Sequence, residues 1–466
     1  MFFGSDISPL CCCRAGIDAI KPFVCFGIIY LNILSYELLN TQIDKLFYMF
    51  MMKLNIAALL AGLLMIMPAH AQNNAEDSLL DLHEAVSMAM ENNPAYMTLQ
   101  GMRNEVKHNW KSESGIVQPE LSYTREGLGD TDQFFEQRMS ISQSLEQPFS
   151  VIQKSKAADW RLKALNKRIE AYGRQLKEDV KMQYIELLYA IHMDSLRAER
   201  IRTAEKLREA VEFKFEQGSA DKIDVLNARV RLDKAKNEKN NSLAQLHRER
   251  YRLFELIGLD PEQQKYEIRF ADSLQTYEPR ISQDSVLASL ENYPAYEQYR
   301  MNITAAEHSV KAAKAGWFPS LSVSYYQQDF SNGFNYQGFE VGVGIPLWGA
   351  HGIRGDVKTR QALLNQADWQ AEGKMLEMKR QVEHAWHAYE EAREVIQRYQ
   401  SGQMKESTDL LKLTEEAYRL GEIDLIRLID AQQLYLDKQA LYLKSLRDYY
   451  IYLSQLEKFI NKELVY

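Results

Sequence analysis

The chain has 466 residues, a formal net charge of −8 and a negative mean hydropathy. A mild acidic balance without a long basic run argues against nucleic acid as a partner. All four cysteines (Cys11, Cys12, Cys13 and Cys25) stand near the N-terminus, so the rest of the chain has no disulfide or thiol chemistry. The triple Cys also lacks the paired spacing that zinc needs.

In chain order, Met52-Lys53 is a charged start, Leu54 to Met67 an apolar core, and Ala69-His70-Ala71 an A-x-A site before Gln72. This is the grammar of a secretory signal peptide over 52–71. Its core is shorter than a membrane-spanning helix. Residues 1–51 then read as an extension from a misassigned start codon, with a functional pro-segment as the alternative. Gln72 rather than Cys follows the cleavage point, so no acyl-anchored first residue is expected.

Two stretches nearly repeat each other: Glu91-Asn-Asn-Pro-Ala-Tyr96 and Glu291-Asn-Tyr-Pro-Ala-Tyr296. Pro119 and Pro319, each opening an alternating run, share that spacing of 200. Gly218 and Gly421, each followed by a similar acidic and apolar stretch, stand 203 apart. Landmarks in one order at nearly one offset predict an internal duplication, with repeats over 72–272 and 273–466.

Within each repeat, Gly and Pro are almost absent over one long segment. From Val151 to Glu216 there is no proline and a single glycine, Gly173. Leu176, Val180, Tyr184, Leu187 and Ile191 recur at helical steps there. Ile353 to Leu420 is the second such segment. Helices of this length, on the order of 100 Å, belong to coiled coils or helical tubes. Shorter helices are predicted over His83–Gly115, Ile223–Ile257, Ser282–Gly316 and Leu425–Ile460, each about half as long. Leu436, Leu443 and Tyr450, and Leu446, Leu453 and Ile460, recur at steps of seven. Two short helices end to end would match one long helix, with hairpin tips at Gly218 and Gly421, where a helix end favours a positive-φ residue.

Between the helices lie period-two runs, predicted as strands at about 119–126, 136–147, 319–328 and 338–347. Leu321, Val323 and Tyr325 would share one face, as would Phe339, Val341, Val343 and Ile345. Arg125, Arg138 and Gln143 make the first pair a weaker match. Soluble hairpins would show the same alternation. In lipid, however, every backbone amide must be paired and a sheet must close on itself. Four strands cannot close, whereas three copies would supply twelve around a wet lumen.

The chain from about Leu79 to Leu464 resembles the outer-membrane efflux protein family, the TolC-like exit ducts of Gram-negative bacteria. The doubled N-P-A-Y and Y-P-A-Y openings carry the resemblance, with Pro119 and Pro319 at strand starts, Pro148 and Pro346 at strand exits, and the Gly218 and Gly421 hairpins. The exit Ser142 to Phe149 leans toward the heavy-metal and cation branch. The resemblance implies a mainly α fold with a small β part: a homotrimer with a twelve-stranded outer-membrane barrel and a long α-helical periplasmic tunnel. A periplasmic adaptor and an inner-membrane pump of the RND type are the implied partners. The family's periplasmic gate maps onto Tyr418, Asp224 and Asp430. Arg427 departs from the pattern, standing where the family has an acid, and is expected to pair with Asp224 or Asp430. The adaptor contact maps onto Gly218, Ser219 and Ala220, and onto Gly421, Glu422 and Ile423. Solvated charges near a helix turn are the simpler reading of Asp224, Arg427 and Asp430.

No H-E-x-x-H, P-loop, dinucleotide turn or G-x-S-x-G elbow occurs, so neither enzyme chemistry nor a cofactor is expected. His384 and His387 are a helical turn apart without an evident third ligand, and no metal is expected there. The functional expectation is a passive exit duct. A periplasmic coiled-coil scaffold without a pore is the alternative.

Overall fold

The computed structural model describes residues 79–113, 117–127, 136–260, 267–268, 279–330, 333–460 and 462–465. The leader, the signal peptide and the cysteines lie outside the described residues. The elements in order are β1 (Leu79–Leu80), α1 (Leu82–Asn92), α2 (Pro94–Glu113), β2 (Glu120–Glu126), β3 (Glu136–Leu145), α3 (Pro148–Glu216), α4 (Lys222–Ile257) and β4 (Glu267–Ile268). There follow α5 (Gln283–Ser289), α6 (Pro294–Lys314), β5 (Ser320–Phe330), β6 (Asn335–Gly344), α7 (Gly349–Arg398), α8 (Met404–Leu420) and α9 (Leu425–Ile460). β1 and β4 form a two-residue parallel pair.

The 69 residues of α3 span about 100 Å at the helical rise of ~1.5 Å per residue. Pro148 suits its first turn, where no backbone N–H is needed, and the Gln147 side chain accepts the Ser150 N–H at 2.8 Å. The row Leu176, Val180, Tyr184 and Leu187 is buried against α1 and α4. In α9, Leu436, Leu446, Tyr450 and Leu453 are buried, with Leu443 and Ile460 half-buried. Tyr389, Tyr449 and Leu456 anchor the other main core.

The helices form a single layer, and α3 runs its full height. At the sheet end the lateral order is α2, α3, α6, α7; at the far end it is α4, α3, α9, α8. The two N-P-A-Y-like motifs sit where short helices meet end to end. Asn93 is buried: its Oδ1 accepts the Tyr96 N–H at 3.0 Å, capping α2, and its Nδ2 donates to the Leu256 carbonyl of α4 at 2.9 Å. Gly258 ends α4 at φ 72°, where a Cβ would lie 2.4 Å from the Asn92 carbonyl oxygen, so only glycine fits. In the second motif Tyr293 is buried with its ring 5.1 Å from that of Phe459 near the end of α9.

Three expectations need correction. His83–Gly115 is two helices, because Asn93 leaves the helical region before Pro94, as the residue preceding a proline tends to, and Ser282–Gly316 is broken in the same way at Tyr293 before Pro294. Ile353–Leu420 is interrupted by a π-turn at Tyr399–Gln403, in which Gly402 adopts φ 146°.

Candidate functional site

The four strands form an antiparallel sheet in the order β2-β3-β5-β6, and its register divides the side chains into two unlike faces. One face carries Leu121 and Tyr123; Met139, Ile141 and Leu145; Leu321, Val323 and Tyr325; and Phe339, Val341 and Val343. The other carries Ser122 and Thr124; Ser140, Ser142 and Ser144; Ser320, Ser322 and Ser324; and Gly338, Gly342 and Gly344. Arg138 lies on this polar face, in keeping with the alternation, whereas Arg125 and Gln143 lie on the apolar face as exceptions to it, as do Gln137, Gln327, Asp329, Asn335 and Gln337 toward the turns. Among the described residues no element covers the apolar face: Phe339 is 78% exposed, Leu121 71% and Val341 64%. Contiguous apolar surface of this extent marks an interaction with protein or membrane. Aromatic side chains border it at both ends. Phe149, Trp317, Phe318 and Trp348 stand exposed where the strands join the helices, and Phe334 stands exposed in the β5–β6 turn, stacked beside Tyr336 of the polar face. Such girdles sit at the two interfaces of a bilayer.

The outer edges of β2 and β6 pair with no strand among the described residues. The helices at the two lateral edges also expose apolar residues: Ile223, Leu226 and Val230 on α4, and Leu363, Trp369 and Leu376 on α7. Where sheet and helices join, a groove of about 1130 Å³ opens over Ala312, Ala313 and Gly316. Its lining pairs Lys154 with Glu146 and Arg360 with Asp356, and adds Arg161, whose Nη2 donates to Ser309 Oγ at 3.4 Å.

At the far end the two helical hairpins pack side by side. Gly218 and Gly421 take φ 72° and 80°, and Asp221 and Asp424 cap the helices that follow, accepting the backbone N–H of Asp224 at 2.8 Å and of Arg427 at 3.0 Å. Ser219, Ala220, Glu422 and Ile423 form the turns, and Ile423 packs against a cluster of Leu207, Val211, Val225, Tyr418, Leu425 and Leu428. Tyr418 is thus part of a buried joint between the hairpins. Lys214 lies 3.7 Å over its ring and donates to its carbonyl at 2.8 Å. Burial, and then the Asp224 carboxylate, push the Tyr418 hydroxyl above its usual value of 10.0. Asp430 and Arg427 are exposed. Among the described residues Arg427 forms no ion pair with Asp224 or Asp430; the nearby pair is Arg229 with Glu212 at 2.9 Å. Lys214 was missed from the sequence, although it precedes Gly218 by four residues much as Tyr418 precedes Gly421 by three. Elsewhere, His387 lies 3.7 Å from Glu383, and His384 meets the Tyr452 ring edge-on.

Residues 120–259 and 287–462 match the family described as outer membrane efflux protein. The chain belongs to that family. No curated protein sequence matches it. Among solved structures, this family member resembles CusC, described for folding and transmembrane channel formation, with a TM-score of 0.70 and 17% identity over 81% of this chain and 91% of that one. The CmeC outer membrane channel of Campylobacter jejuni gives 0.70 at 16% identity, over 81% and 85% of the two chains. The outer membrane protein VceC of Vibrio cholerae gives 0.69 at 14% identity, over 81% and 95%. At these identities the likeness is one of fold. The near-equal scores do not separate one branch of the efflux family from another.

Proposed function

We propose that this chain is one third of a passive outer-membrane exit duct, built from two structural repeats and placed in the outer membrane of a Gram-negative bacterium. The observation that carries the reading is the sheet: one apolar face that no described element covers, one polar face rich in Ser and Gly, and two edges unpaired among the described residues. Lipid tolerates no open sheet edge, so the strands must be completed by further copies. Four alternating strands per chain leave β6 of one copy antiparallel to β2 of the next, and three copies give twelve strands around a wet lumen. The exposed apolar residues of α4 and α7 would be covered by the same ring, continuing the barrel as a helical tunnel. A scaffold without a pore would leave the apolar face in water.

In this reading the hairpin tips at Gly218–Ala220 and Gly421–Ile423 meet a periplasmic adaptor, and an inner-membrane pump, of the RND type by family resemblance, supplies the energy. Asp224, Arg427 and Asp430 line the periplasmic entrance, and Tyr418 closes the hairpin joint behind them. Because Arg427 finds no carboxylate partner among them within one chain, its partner would come from a neighbouring copy. Three Asp430 side chains would form a ring favouring cations. The Ser142–Phe149 strand exit supports a cation cargo, which a metal-tolerance assay in a deletion strain would check. The test of the reading is native mass spectrometry of the detergent-extracted protein with planar-bilayer recording. A conducting trimer is expected; a stable, non-conducting monomer would overturn it.

A further inference from the structure

Arg138 is the one cation on the polar face among the described strand residues, against Glu120, Glu126, Glu136 and Glu340. It is also held unlike any neighbour. Tyr326 faces Gly338 in the register, and a Cβ at Gly338 would fall 2.6 Å from the tyrosine Cζ and hydroxyl oxygen. The ring therefore lies flat on the β6 backbone, in space that only glycine leaves open. The Arg138 guanidinium sits 4.2 Å above that ring's centroid, and its Nη2 donates to Glu340 Oε2 at 3.0 Å. A cation stacked on a tyrosine and paired with a carboxylate is held from two sides. Arg138 thus stands two layers above the sheet, whereas Ser140, Ser142, Ser322 and Ser324 reach one layer and Gly342 none.

We propose that Arg138, Tyr326 and Glu340 form a collar on the lumenal face, which narrows the barrel and sets the charge preference of the solutes that pass. The proposal rests on the channel reading above. Three copies place three stacks at one level, each bringing a cation and an anion into a bore lined by Ser and Gly on the helix side and by Glu126, Glu136, Gln328, Phe330 and Tyr336 toward the turns. Rings of charged side chains at a constriction govern which ions pass, and the low-dielectric wall around a wet bore focuses their field.

The test is the purified protein in planar bilayers under a potassium chloride gradient. Arg138→Gln, which removes the one cation among the described residues of the face, is expected to shift the reversal potential toward that of potassium. Glu340→Gln, which leaves Arg138 unneutralised, is expected to shift it toward that of chloride. Tyr326→Ser removes the platform and is expected to raise unitary conductance. If it does not assemble, the two shape-conserving variants decide the matter by their opposite shifts. A conducting wild type whose reversal potential is unmoved by both Gln variants would overturn the collar alone. A wild type that forms no pore would overturn the channel reading and the collar with it.

Discussion

Val341 and Ser142 lie in adjacent residue rows of the sheet, at nearly the same depth and on opposite faces. Arginine at each should therefore separate lipid from water. On a lipid-facing strand near the bilayer midplane, arginine costs about 2–4 kcal/mol. That is roughly a 30- to 900-fold loss in the insertion equilibrium for each chain, at a factor of ten per ~1.4 kcal/mol, and a trimer incurs it three times. Ser142→Arg would instead stand on the polar face opposite Glu120, where an unlike cross-strand pair contributes about 0.2–1 kcal/mol in its favour. If both faces met water, Val341→Arg would be an ordinary surface change within about 0.5 kcal/mol. Folding into lipid vesicles, read as the heat-modifiable band on a gel, should be lost for Val341→Arg and retained for Ser142→Arg. Equal folding of the two would refute the assignment of the faces.

Lys181 is buried, with its ammonium 2.6 Å from Glu457, 3.2 Å from Glu463 and 2.5 Å from the Val465 carbonyl. Lys181→Met strands Glu457 and should lower stability by about 3–5 kcal/mol. Lys181→Met with Glu457→Leu should recover part of that loss in thermal unfolding, and no recovery would mean the cost lies elsewhere. Burial lowers the pKa of His192 below 6.5. The unfolded chain then takes up a proton first as pH falls through 6.5, so stability contributed by the neutral imidazole is lost below that value. His192→Gln should flatten that part of the stability-versus-pH curve. Arg427→Glu should raise unitary conductance by removing the cation from the entrance, and unchanged current would reject its gating role. Gly421→Glu strains a left-handed cap by about 1–2 kcal/mol and should block export while the trimer survives on a native gel.

Much of the fold could be read from one dimension because its signals are local. The want of Gly and Pro announces α3, and strict alternation announces β5 and β6. The Asn93–Pro94 break was legible too, but it competed with a helical pattern running through it. The π-turn left only an indirect trace: the spacing between corresponding landmarks grows from 198 at Pro148 and Pro346 to 203 at Gly218 and Gly421, and the interruption lies within that interval. What stayed hidden depends on contacts between distant segments. Arg138 looks like a fault in a strand until the register shows Tyr326 beneath it. Tyr418 reads as an entrance residue, yet the packing of two hairpins also makes it the centre of a buried joint. Nothing near Lys181 in sequence shows that it holds residues 463–465.

The most direct test is whether copies of the chain complete one another's sheet. With Cys11, Cys12, Cys13 and Cys25 replaced by serine no other cysteine remains, so Tyr123→Cys on β2 can be combined in turn with cysteine at Phe339, Val341 or Val343 on β6 without interference. Under oxidation in the membrane, at least one combination should give a covalent product that stops at three chains, because a closed ring has no free edge left. A ladder running past three, or no inter-chain product at any position, would contradict the closed barrel.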